Sequence, residues 1–258
     1  MKTFMIFALF LTKVGLAHAS IPSLDFILQK AATTNARQII AIEQEVTFKL
    51  DNEESVITEN WLVEGDKNLK LTANGKGLLK TNVHLNYLYN GNTKTFYIGK
   101  NKQTLPIATD FYPRILFIKS FNTYKNYISE MGIPYQHRLS RADGRIAYAV
   151  GKESDHLTYP QLWFDQDEFI LRKIRLPSLS EIELSDVSPV GKDGFIAKTQ
   201  TVSWGPYKVT IKVKNVAVKN NTSLSAFYPQ NLDQPSEMTF ANKTALTEMI
   251  EQFYQRFR

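Results

Sequence analysis

From Glu43 onward the chain repeats one pattern that leaves little freedom of fold. Apolar residues return at every second position in short runs, and turn residues separate the runs. Val46, Phe48 and Leu50 alternate with polar or charged neighbours and end at Asp51-Asn52. Ile57, Trp61 and Val63 share one parity, and Leu69, Leu71 and Ala73 then lead to Asn74-Gly75. Val83, Leu85, Tyr87 and Tyr89 stop at Asn90-Gly91, after which Phe96 and Ile98 follow. Side chains of a strand point alternately to its two faces, so a period of two means one buried face and one wet face. Asn-Gly favours the positive φ angles of tight hairpin turns, which predicts antiparallel neighbours. After a break the pattern resumes at Ile146, Tyr148 and Val150, following Asp143-Gly144. It continues through Leu162 and Phe164, a polar hairpin tip at Asp165 to Glu168 expected to be solvated, and Ile170, Ile174 and Leu176. Ile182 and Leu184, Phe195 to Trp204, and Val209, Ile211 and Val213 complete the run.

Three segments break this period. Leu24, Ile27, Leu28, Ala31 and Ala32 have helical spacing, and Ser23 after Pro22 suits an N-cap. Phe117, Ile118, Phe121, Tyr124, Ile128 and Met131 recur at three and four, with Gly132 as a helix stop. After a polar stretch from Asn231 to Asn242, Leu246, Met249, Ile250, Phe253 and Phe257 form a third apolar stripe. A short helix exposing such a stripe is marginal in water, so it must be buried on its own domain, a partner or a membrane surface. Docking on the parent domain is the expected outcome, because terminal helices are commonly tied down that way. The prediction is an α+β fold, mainly antiparallel β. One domain spans residues 20–230, followed by a linker and amphipathic helix over 231–258.

The start of the chain speaks to location. Met1 and Lys2 precede an uncharged apolar run, Phe4 to Leu11, and Ala17-His18-Ala19 precedes Ser20. This is the pattern of a secretory signal cleaved after Ala19, and its apolar run is too short to span a bilayer of about 30 Å. The expected mature protein starts at Ser20, and its charge falls from +6 to +4 once Lys2 and Lys13 leave. The chain has no cysteine. That removes disulfides, thiol nucleophiles and zinc–thiolate sites, and also a lipid anchor on a processed cysteine. A chain of this length can bury a sufficient core without cross-links. Its lysines are scattered rather than gathered in a basic stripe, which excludes a nucleic-acid reading.

Signatures of catalysis are missing. There is no Gly-x-Ser-x-Gly elbow, no His-Glu-x-x-His helix and no Walker sequence, and Gly75-Lys76-Gly77 lacks the third glycine of a dinucleotide turn. His84, His137 and His156 sit on separate segments, and Asp165, Asp167 and Glu168 lack the spacing of a calcium loop. No cofactor, metal or catalytic residue is therefore expected. The aromatics carry more information. Trp61, Phe96, Tyr148, Trp163 and Trp204 lie on predicted strands, and Phe117 and Phe121 on the middle helix. These seven either fill a core or wall an apolar cavity between sheet and helices.

The order of elements resembles the LolA/LolB-like proteins. Ile42 to Leu50 is similar to the family's first strand and Glu59-Asn60-Trp61-Leu62-Val63 to its second. Tyr87 to Tyr97 is similar to its central hairpin, and Gln161 to Asp165 with Leu171 to Ile174 to a later strand pair. Ala226-Phe227-Tyr228-Pro229 resembles its closing element, so the likeness runs from Leu24 to Pro229. The family's Arg-Pro after the second strand is absent; Gly65-Asp66 stands there. The resemblance implies an unclosed β-barrel, a half-barrel around an apolar cavity lidded by helices. It further implies a monomeric periplasmic carrier or chaperone in lipoprotein transport and outer membrane biogenesis. Its partners would be a lipid or an acylated lipoprotein, with an envelope protein or membrane surface for the terminal helix. The seven aromatics would be the cavity walls. The alternative is a structural or assembly factor of the envelope with a filled core that binds a protein partner.

Overall fold

A computed structural model describes residues 21–258 apart from 37, 154–157, 193, 221 and 233–234. The segment Met1–Ala19, its cleavage site and His156 lie outside the described residues. The period-two runs form β1 (Ile40–Leu50), β2 (Glu53–Glu64), β3 (Asn68–Gly75), β4 (Val83–Asn90), β5 (Thr93–Ile98) and β6 (Asn101–Pro106). A second series follows: β7 (His137–Ala142), β8 (Arg145–Val150), β9 (Gln161–Asp165), β10 (Leu171–Arg175), β11 (Glu181–Val190), β12 (Gly194–Trp204) and β13 (Tyr207–Val218). All belong to one sheet, ordered β6-β5-β4-β3-β2-β1-β13-β12-β11-β10-β9-β8-β7. Two meanders thus meet at a seam, where β1 pairs antiparallel with β13 from Ile40↔Val218 to Phe48↔Val209 across a bulge at Glu43/Gln44. β6 and β7 remain free edges and the sheet is not closed, as the half-barrel expectation requires.

Turn chemistry explains the hairpins, with one correction. Asp51 takes a φ of 51° in the two-residue turn between Leu50 and Glu53, and Gly91 one of 57° between β4 and β5. Asn74-Gly75 is not a hairpin turn. β3 runs through it, and a short 3₁₀ turn, Gly77–Leu79, makes the link to β4. A Cβ on Gly75 would lie 2.1 Å from the Leu79 carbonyl oxygen, so glycine is needed there for close backbone approach.

The helices lie on one face of the sheet. α1 (Leu24–Thr33) begins at Ser23, whose hydroxyl accepts from the Phe26 N–H, and buries Ile27, Leu28 and Ala31. The middle helix is shorter than its periodicity suggests. α2 (Phe121–Glu130) starts where the Ser120 hydroxyl accepts from the Thr123 N–H, and Phe117 instead ends a 3₁₀ segment, Tyr112–Phe117, with Pro113 in its first turn. Ile118 between them is extended, which separates the two. α3 (Ala245–Arg256) opens with a capping box between Thr244 and Thr247. Among the described residues no helix is long and apolar enough to cross a membrane.

Alternation divides the sheet's side chains. Ile42, Val46 and Phe48 of β1, Ile57, Trp61 and Val63 of β2, and Tyr87 and Tyr89 of β4 share one core with all three helices. We call this the inner face. On the outer face Trp163 packs among Ala142, Ala147 and Ala149. The chain after β13 also crosses the outer face, where Phe227 and Leu232 cover Leu88 and pack near Leu62 and Tyr97. This strap then passes through the sheet. β4 and β5 pair only from Leu88 to Asn90, and beyond that the Ser236 N–H donates to the Tyr97 carbonyl while β14 (Glu237–Met238) pairs with Val83 and His84 of β4. Met238 and Phe240 emerge on the inner side and lead into α3.

The hairpin tip at Asp165 also differs from the solvated turn expected. Asp167 and Glu168 are exposed, but Asp165 is buried. Its Oδ1 accepts from both of their N–H groups at 3.0 Å, and Oδ2 lies 3.3 Å from the Arg172 guanidinium.

Candidate functional site

The inner face carries two kinds of cover. At the seam, α3 lies against β1, and its Leu246, Met249, Ile250 and Phe253 are buried together with Phe257 just beyond it. Phe253 meets Phe48 edge-on with ring centroids 5.3 Å apart, and Trp204 meets Phe257 at 5.1 Å. The Trp204 indole N–H donates to Gln252, and Arg256 pairs with Asp110 at 2.7 Å. The terminal stripe is therefore docked on its parent domain.

Beyond α3 the inner face carries polar groups. Gln44, Glu59 and Gln200 occupy positions that alternation assigns to the core, and all three are buried. Glu59 is 0% exposed and receives hydrogen bonds from the Gln44 amide at 2.6 Å, the Trp61 indole at 3.0 Å and the Arg258 Nε at 2.9 Å. Arg258 is itself 1% exposed, and its guanidinium lies 4.7 Å from the Phe253 ring centroid and 5.4 Å from those of Trp61 and Tyr112. Burial by itself would drive Arg258 toward neutrality, but the Glu59 carboxylate outweighs it and the net displacement is upward. Arg258 keeps its charge beside Glu59, because a buried charge persists only when it is matched. Burial likewise raises the Tyr112 phenol, which stays protonated and donates to Gln200 at 2.8 Å.

Beside this knot lies a cavity of about 60 Å³. Ile42, Trp61 and Leu184 form its sheet wall, Phe195 to Ala197 one side, and the Tyr112–Phe117 segment its cover. Leu116 and Phe117 in that cover are only partly buried. Burial of Tyr112, Pro113 and Ile115 holds the cover, together with a set of polar contacts. The Asn35 side-chain amide donates to the Ile118 carbonyl at 2.6 Å, Tyr112 reaches Gln200, and Lys119 stands 3.7 Å from Glu64. The lining is largely apolar and offers no nucleophile–base pair, so the chemistry it supports is desolvation of an apolar group.

The structure brings two of the seven aromatics, Trp61 and Phe117, to this cavity. Trp204 lies on the same face beneath α3. Tyr148 stacks on Phe169 at 6.0 Å, and Phe96 meets Tyr87 at 5.6 Å. Phe121 packs at the start of α2 under Lys125. Trp163 is on the outer face, flanked by Lys173 and Arg175. The lining also includes Ile42, Ile115, Leu116 and Phe195, which the reading by aromatic type missed. Parity with Val46 and Phe48 places Ile42 on the inner face, and Gln44, Glu59 and Gln200 at core parity mark the polar knot; Tyr112–Phe117 carries no periodic signal. His84 bonds Asn74 and Asn86 on the outer side of β4, whereas His137 on β7 bonds the Pro22 carbonyl.

No family model matches the chain, and no curated protein matches it in sequence. Solved structures do match in fold. One is a domain from Vibrio parahaemolyticus described as an outer membrane lipoprotein-sorting protein: TM-score 0.57, 13% identity, 81% of this chain and 98% of that one. A LolA superfamily protein from Nitrosomonas europaea has a TM-score of 0.56 at 12% identity, over 82% of this chain and all of the other. A DUF1329 family protein from Desulfovibrio piger has 0.55 at 11%, over 81% and 97%. At these identities the likeness shows the fold, which is LolA-like.

Proposed function

We propose that this LolA-like chain is a soluble periplasmic carrier that sequesters an acyl chain, of a lipid or of an acylated lipoprotein, beneath the Tyr112–Phe117 cover without covalent chemistry. The observation that carries this reading is the apolar cavity between Trp61 and Ile42 on the sheet and the partly buried Leu116 and Phe117 above it. Its 60 Å³ is far below the roughly 300–1,000 Å³ of ligand pockets, so this is a closed form and loading requires the cover to lift. Burial gains about 0.8 kcal/mol per methylene, so ten carbons supply about 8 kcal/mol toward displacing the cover. The expected leader, cleaved after Ala19, would deliver the chain to that compartment. A fluorescent fatty acid should bind the mature protein saturably. Asn35→Ala, which frees Ile118, should speed its uptake severalfold. A wild-type protein that never takes up the probe sinks the carrier reading.

One observation favours the alternative of an envelope assembly factor with a filled core. α3 fills the seam end of the inner face with Met249, Ile250 and Phe253. Absence of probe binding, together with capture of a defined envelope protein by the folded chain, would decide for it.

A further inference from the structure

On the far side of the Tyr112–Phe117 cover lies a second recess, of about 210 Å³, with a different character. It is walled by the turn after β2 (Asp66, Lys67), the β4–β5 turn (Asn92), the cover (Arg114) and the outward side of α2 (Asn126, Glu130). Its rim is preformed, since the Gly91 N–H donates to the Lys67 carbonyl and the Ile107 N–H to the Asn92 carbonyl. Two cations and two carboxylates face it, so its formal charge is zero while its polarity is high.

Two of these charges are anomalous. Asp66 Oδ2 and Arg114 Nε are removed from solvent and have no hydrogen-bond partner. Other charged side chains have orphaned atoms too, but Asp110, Arg138 and Arg172 each make an ion pair through another atom. Among the described residues with such atoms, Asp66 and Arg114 are the charged ones that make neither a hydrogen bond nor an ion pair. They line one recess and still do not pair with each other. Each residue is half-buried as a whole, and a polar atom withdrawn from solvent without a partner is a place that a ligand atom can satisfy. The arrangement calls for a bridging ligand with an anion for Arg114 and Lys67 and a cation for Asp66 and Glu130.

We infer that this recess binds the zwitterionic head of an amphiphile, a phosphate joined to an ammonium, whose acyl chain enters the neighbouring apolar cavity. The two sites share one wall. Arg114 faces the recess while Ile115 and Leu116 face the cavity, and Tyr127 and Tyr124 of α2 divide in the same way. Guanidinium suits phosphate through paired N–H donors, and a carboxylate suits an alkylammonium. The acyl half of this inference rests on the carrier reading; the head-group half stands on the recess alone.

The test uses O-phosphoethanolamine, a head group without an acyl chain, titrated into the mature protein and followed by amide NMR. Saturable shifts should appear around Asp66, Arg114 and α2. Arg114→Gln and Asp66→Asn should each weaken binding at least tenfold, and Asp66→Asn, which lies outside the cover, should retain fatty-acid uptake. Because both substitutions remove an unpartnered charge, neither should lower the melting temperature, and a fall of several degrees in both would reveal a structural role and overturn the inference. So would phosphoethanolamine binding unaffected by either change. Inorganic phosphate binding as tightly as phosphoethanolamine, with Asp66→Asn silent, would reduce the site to an anion pocket and overturn the zwitterion. A protein that takes up fatty acid but not phosphoethanolamine sinks this inference alone. One that binds phosphoethanolamine but no fatty acid sinks the carrier reading and leaves the recess standing.

Discussion

The two ends of the inner face are covered by different means. At the seam, α3 brings Met249, Ile250, Phe253 and Phe257 to zero exposure and anchors itself by an ion pair, Glu59–Arg258, that no solvent reaches. At the cavity end the cover is a single 3₁₀ segment that buries Tyr112, Pro113 and Ile115 but leaves Leu116 and Phe117 partly exposed, with polar contacts from Asn35 and Tyr112. One fold thus contains a seal and a flap. Under the carrier reading, loading would draw on the less completely packed cover, as regions that move are drawn from the low-stability part of a structure.

The largest expected effect breaks the seal outright. Removing Lys243 to Arg258 uncovers or deletes at least five buried large apolar side chains, each worth about 1.5–3 kcal/mol. Their sum rivals the roughly 5–15 kcal/mol by which whole domains are stable. The truncated protein should lose its near-ultraviolet circular dichroism and bind a hydrophobic dye. A cooperative melt close to the wild type's would erase the contrast between seal and flap. Next in size is Arg258→Met, which strands the Glu59 carboxylate without its ion-pair partner and should cost about 3–5 kcal/mol in urea unfolding. Adding Glu59→Gln should recover part of that loss, since the stranded charge goes with it.

The third test sets the regions side by side. Phe253→Ala should cost about 3–5 kcal/mol, as in a packed core. Phe117→Ala should cost about 1 kcal/mol, because its ring is only partly buried, yet weaken fatty-acid binding about tenfold. Equal stability losses would mean that the flap is part of the core. The last test is a pH dependence at the seal's margin. Lys94 donates to the Arg258 carbonyl and lies 4.4 Å from the Tyr87 ring centroid, and burial lowers its pKa from 10.5 to about 8. Between pH 8 and 10.5 the unfolded chain holds more protons at this site than the folded one, so its contribution to stability rises with pH across that window. Lys94→Met should flatten the rise in urea midpoints measured from pH 8 to 10.

The meander was legible because burial on one face writes itself into the parity of every long strand. The edges were not. β6, with Asn101-Lys102-Gln103-Thr104, and β7, with His137-Arg138-Leu139-Ser140, show no alternating apolar run, since an edge strand is wet on more than one side. The terminal helix was legible as a stripe, and parental docking was the expected outcome; its exact seat was not, for it depends on a strap that passes between β4 and β5. In the site, parity mattered more than residue type. Leu162 and Phe164 face inward, so Trp163 must face outward however apolar it is. Gln44, Glu59 and Gln200 break the inner pattern on three separate strands, and that interruption was the readable trace of buried polar bonding, in which Gln44 and Arg258 donate to Glu59 and Tyr112 donates to Gln200. Tyr112–Phe117 has neither period, because a short 3₁₀ turn is placed by tertiary contacts alone.

The route of the strap imposes a timetable on folding. Glu59 and Arg258, 199 residues apart in the chain, meet only after the strap has passed between β4 and β5 and α3 has turned back onto β1. A chain emerging from its N-terminus can build its hairpins as they appear, yet the inner face stays greasy and open until residues beyond 240 arrive. Contacts of such long range form late and slowly, and exposed strands are prone to aggregate in the interval. A newly made copy therefore exposes its inner face for longer than the hairpins alone would require, and the final packing of α3 is the step that ends that exposure.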